Sequence, residues 1–119
     1  MCFSATASFT AAALIGGIGV AALAQKPKPK DLPFAAIPLI FAAHQAIEGA
    51  IWLQLNAANT PPNALIVAYL LIAQVLWPSY IPFSVIMMEP RRRRRLALWI
   101  LLAAGLFVSG ALASILLQH

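Results

Sequence analysis

Apolar residues fill four long runs of this chain, and polar or charged residues gather almost entirely between them. The runs cover about residues 3–24, 33–55, 64–88 and 96–117. At about 1.5 Å of rise per residue, a helix over any of them is long enough for a hydrocarbon core about 30 Å thick. Residues 25–31 (QKPKPKD) and 56–63 (NAANTPPN) read as turns, because Pro27, Pro29 and the Pro61-Pro62 pair interrupt helix and the side chains around them prefer water. The pattern predicts an all-α, polytopic membrane protein: one transmembrane domain, a bundle of four transmembrane helices, its neighbours antiparallel across short turns.

Small and special residues refine each span. One of Ser4, Thr6, Ser8 and Thr10 is expected to cap the first helix, and Gly16, Gly17 and Gly19 to form a seam that lets another backbone approach closely. Pro33 suits the first turn of span two, and Pro38 a turn later predicts a bend. Pro78 and Pro82 predict a kink in span three, with Ser79, Tyr80, Ser84 or a water meeting the carbonyls they release. Gly105, Ser109, Gly110 and Ser114 form the small-residue positions of span four. Ala22-Leu23-Ala24 resembles a signal-peptide cleavage site, but the nearest positive charges follow the apolar run instead of preceding it, which favours a first span.

Composition agrees, with 62% hydrophobic and only 9% charged residues, where soluble domains carry about 25% charged. The net charge of +5 sets three acidic residues against eight basic ones, and the basic ones are confined to two clusters: Lys26, Lys28 and Lys30, then Arg91, Arg92, Arg93, Arg94 and Arg95. Both clusters read as cytoplasmic loops, which puts both termini outside. No soluble basic face remains for nucleic acid; membrane lipids are the expected partners of the arginine run. One cysteine, Cys2, excludes an intrachain disulfide and a CxxC metal motif.

Residues 41–50 (FAAHQAIEGA) place His44, Gln45 and Glu48 near the middle of span two. A charged side chain there costs about 2.5–3.5 kcal/mol to insert unless it is partnered, so it marks a candidate functional site. His44 and Glu48 are four apart and share a helix face, with Gln45 beside them, Gln74 of span three as the expected cross-helix partner, and Trp52, Trp77 and Tyr80 as aromatic neighbours. The pair suits a structural lock, a proton relay or a ligand contact, and half of a metal site. One His and one Glu fall short of a zinc set, and His119 is too remote in depth to add to it. No catalytic motif, resident metal or cofactor is predicted; lipid or pigment contacts stay open.

The opening MCFSATASF, the stretch PFAAIPLIFAAHQAIEGAIWL and the stretch VLWPSYIPFSVIMMEPRRRR together resemble a family of functionally uncharacterised bacterial integral-membrane proteins. Its members are longer, with further spans, so the resemblance implies that this chain corresponds to their amino-terminal half, with an outside amino terminus. The expected function is that of a small accessory or structural subunit of a larger membrane complex or homo-oligomer, not an enzyme, with a polar site in span two. The alternative is a proton-coupled small-solute transporter or ligand-binding membrane protein that uses Glu48 and His44.

Overall fold

The computed structural model of the chain describes residues 3–118, all of whose regular structure is helical. The helices are α1 (Ala5–Ala24), α2 (Leu32–Ala35), α3 (Ile37–Asn56), α4 (Asn63–Leu70), a π-helical segment (Leu71–Leu76), α5 (Trp77–Met88) and α6 (Arg92–Gln118). Four continuous stretches, Ala5–Ala24, Leu32–Asn56, Asn63–Met88 and Arg92–Gln118, have 20 to 27 residues and a mean hydropathy of 1.4 to 2.4. Each reaches the length of about 20 residues that crossing a bilayer takes.

Local chemistry explains where these helices begin and end. Ser4 is the cap among the four candidate hydroxyls: its Oγ accepts the Ala7 backbone N–H at 3.1 Å, satisfying one of the amides a helix start leaves open. Pro38 has no N–H to return to the Phe34 carbonyl, and the chain turns at Ala36 between α2 and α3. The exit of α3 is a Schellman turn: Ala58, at φ 57°, donates its N–H to the Leu55 carbonyl at 3.0 Å, and the Asn59 N–H reaches the Gln54 carbonyl at 2.9 Å. Lys26 ends α1 with a similar left-handed residue, at φ 52°.

Two expectations need correcting. Arg92 to Arg95, read from sequence as loop, form the first turn of α6. Arginine is a good helix former, and a helix stops at its capping residues and not where lipid gives way to water; here the break falls at Glu89 to Arg91. In span three, the disturbance expected from Pro78 and Pro82 appears as a widened π turn on the amino-terminal side of Pro78, closed by the Trp77 N–H on the Ile72 carbonyl five residues back. Widening before the proline relieves the clash between its ring and the preceding turn.

The chain forms two compact units, one comprising residues up to Pro27 together with Ala35–Tyr69, the other Lys28–Phe34 and the chain from Leu70 onward. In the first, α1 packs along α3. A Cβ built on Gly16 would touch Ala42 at 3.5 Å, one on Gly19 would meet Leu39 Cγ at 2.8 Å, and one on Gly49 would meet the Phe9 ring at 2.8 Å. The residue numbers in these three pairs share one sum, so the helices run antiparallel in a constant register. Gly17, expected on the same seam, has nothing within 4 Å of its Cβ position.

In the second unit α5 and α6 meet through the stripe Leu102, Gly105 and Ser109, all buried. A Cβ on Gly105 would run into the Pro78 carbonyl oxygen. That carbonyl has no helical donor, because the residue four ahead is Pro82. Ser109 Oγ donates to the Val75 carbonyl at 2.6 Å, and Ser79 Oγ lies within hydrogen-bonding distance of the Val75 and Leu76 carbonyls at 3.3 and 3.2 Å. Of the donors expected here, Ser79 serves the π segment, while Ser84 bonds the Ile81 carbonyl of its own helix and Tyr80 OH donates to the Pro33 carbonyl at 2.6 Å. Gly110 faces open space and Ser114 bonds back to Gly110, so half of the expected small positions lie on this seam.

Candidate functional site

Helix α3 turns two faces inward in the first unit. Ala42 and Gly49 lie against α1, while His44, about 150° around the helix from them, faces away from α1 onto Tyr69, with Glu48 and then Gln45 between the two faces. All three polar side chains are buried, His44 at 7%, Gln45 at 3% and Glu48 at 8% exposure. Among the described residues the large buried apolar ones, Ile86 and Leu102, belong to the second unit. The interior of the first unit is therefore organised around polar side chains.

Gln45 Nε2 donates to Glu48 Oε2 at 3.2 Å, which orients the carboxyl along the helix. The His44 ring lies on Tyr69 of α4, with centroids 4.4 Å apart and planes inclined at 33°. The Glu48 carboxyl is within electrostatic reach of both rings. On the facing helix Ser8 is fully buried, and the α1–α3 register puts it within one turn of Glu48 in depth.

Two buried atoms here have no hydrogen-bond partner among the described residues: His44 Nε2 and Ser8 Oγ. Leaving a buried polar group unmet costs about 1–3 kcal/mol. The first unit thus offers a carboxyl bonded by an amide, an imidazole nitrogen one turn from it and, at a similar depth on α1, a hydroxyl, the last two without a partner among the described residues. It can take up a proton, or accept and donate hydrogen bonds to a small polar molecule.

Of the residues singled out from sequence, His44, Gln45 and Glu48 come together as the spacing requires. Gln74 is half-buried on the π-helical segment of the second unit. Trp77 and Tyr80 belong to that unit as well and pack edge to face, with centroids 6.3 Å apart. Trp52 is half-buried on α3, one turn beyond Glu48. Lys26, Lys28, Lys30 and all five arginines are exposed. Cys2 and His119 lie outside the described residues.

Tyr69 and Ser8 are the members that sequence reasoning passed over. The sequence signal for Tyr69 is a tyrosine hydroxyl within an apolar run, and for Ser8 no more than a hydroxyl among several near a helix start. Among the described residues no three or more His, Cys, Asp and Glu side chains gather as a metal-binding group.

Over residues 1–119 the chain matches a family described as a family of unknown function (DUF6629). We found no match among curated proteins or solved structures. The chain belongs to DUF6629, which agrees with the resemblance to an uncharacterised family and brings no activity with it.

Proposed function

We propose that this member of DUF6629 is a four-span protein of a bacterial inner membrane that binds a small polar solute together with a proton in its first helical unit. The observation that carries this reading is a pair of buried atoms without a hydrogen-bond partner among the described residues: His44 Nε2, one turn from the buried Glu48 carboxyl, and Ser8 Oγ, at a similar depth on α1. A cluster that served only to lock helices together would use its polar atoms on one another, since the gain from each such bond in a membrane averages only about 0.6 kcal/mol. Atoms kept buried and unmet work against the fold and are retained for something that arrives. Glu48 is the proton carrier, Gln45 orients it, and His44 Nε2 meets the solute or relays the proton.

The orientation that goes with this reading has the segments around Lys26 to Lys30 and Arg91 to Arg95 inside and the turn before Asn63 outside, since basic segments stay on the cytoplasmic side. Both termini are then outside. The test is proton movement in proteoliposomes with an imposed pH gradient, read by an enclosed dye as a panel of small polar solutes is added. The natural protein is expected to show solute-dependent proton entry, and Glu48→Gln, which keeps shape and hydrogen bonding, to reduce it at least tenfold. Equal rates would remove the proposal.

A second reading, as an accessory subunit of a membrane complex or a homo-oligomer, has its own observation. Gly17 and Gly110 face open space, although glycine within a helix costs about 1 kcal/mol relative to alanine. A close approach by another chain would give these positions a use. Native mass measurement in mild detergent decides it: an oligomer or retained partner supports this reading, and a monodisperse monomer opposes it.

A further inference from the structure

At the start of α6, Pro90, Arg92, Arg93, Arg95, Leu96 and Trp99 line a groove of about 800 Å³. Arg92, Arg95, Leu96 and Trp99 follow the spacing of a single helix face, so the groove passes within two turns from guanidinium groups to an indole and a leucine. Arg95 Nη2 donates to the Glu89 carbonyl at 3.0 Å. The one acid of this stretch, Glu89, turns a carboxylate oxygen to the Arg91 backbone N–H at 2.9 Å. Leu96 and Trp99 are 64% and 52% exposed.

We infer that this groove is a binding site for the phosphodiester of an anionic phospholipid. Guanidinium forks match phosphate oxygens in shape and charge. An indole one to two turns further along is the side chain suited to the level where head groups give way to acyl chains. A free phosphate would use the arginines alone and leave the indole and leucine without a role, so the mixed lining selects a lipid. The inference rests on the membrane reading above, but not on the polar site in α3.

The test is native mass spectrometry of the full chain released from nanodiscs of phosphatidylcholine containing a minor share of phosphatidylglycerol. Retention of phosphatidylglycerol over phosphatidylcholine is expected. The triple variant Arg92→Gln, Arg93→Gln, Arg95→Gln should lower phosphatidylglycerol affinity by roughly a hundredfold, from the attraction of three basic residues. The triple variant Lys26→Gln, Lys28→Gln, Lys30→Gln loses the same charge from residues that do not line the groove and should lower it clearly less than the arginine variant does. Trp99→Leu keeps every charge and should still weaken retention.

Equal loss in both triple variants would reduce the effect to general charge and overturn the site. Displacement of the lipid by inorganic phosphate would overturn its assignment to lipid, and so would full retention in Trp99→Leu. No preference for phosphatidylglycerol overturns the inference while leaving the membrane reading intact. Failure to enter nanodiscs of pure phosphatidylcholine would instead strike the membrane reading.

Discussion

Gly105 and Gly110 lie five residues apart on α6 and answer to different constraints. At Gly105 any side chain collides with the Pro78 carbonyl oxygen, and backbone on one side and a buried seam on the other leave no room to adjust. Gly105→Ala should therefore destabilise the protein by about 1–3 kcal/mol, the usual penalty for overfilling a tight contact. Gly110→Ala meets open space and should be neutral or up to about 1 kcal/mol stabilising, through helix propensity alone. Denaturant unfolding in detergent micelles measures both; equal losses would mean that the α5–α6 seam is misplaced. Both glycines looked alike in the sequence, because a residue with no side chain shows nothing of what it faces.

At the scale of elements, helix ends are the informative places. Ala58 takes a left-handed conformation at the exit of α3, which costs about 1–2 kcal/mol for a residue with a Cβ. Ala58→Gly removes that cost and keeps both hydrogen bonds of the turn, so the unfolding transition should shift to higher denaturant by the equivalent of about 1 kcal/mol, less glycine's greater freedom when unfolded. A fall in stability would show that the turn is not formed as described. The four apolar stretches were plain in the sequence, since length and hydropathy suffice for them. The π segment was not, because proline announces a lost hydrogen bond without saying on which side the helix widens. Nor was the helical state of Arg92 to Arg95, because charge marks where solvent begins, not where helix does.

For the molecule as a whole, the charge pattern makes a claim about orientation that labelling can check. In a Cys2→Ser background, Asn59→Cys should react with an impermeant thiol reagent on intact cells, and Lys28→Cys only after the membrane is opened. The reverse pattern would invert the proposed topology. As for the candidate site, the α3 part was legible as geometry, because helical spacing alone places His44, Gln45 and Glu48 together. Ser8 and Tyr69 were not, since their membership depends on packing: the register of α1 on α3, and the approach of α4 to His44.

His44 Nε2 and Ser8 Oγ meet no hydrogen-bond partner among the described residues and are proposed to act on a solute and a proton instead; equilibrium unfolding in micelles tests this most directly. His44→Phe keeps a ring on Tyr69 without the free nitrogen, and Ser8→Ala removes the free hydroxyl with little change in volume. Each should be more stable than the natural protein by about 1 kcal/mol or more, and each should lose the solute-dependent proton movement. A loss of stability in both variants would show that these atoms hold the fold together, and would contradict the account.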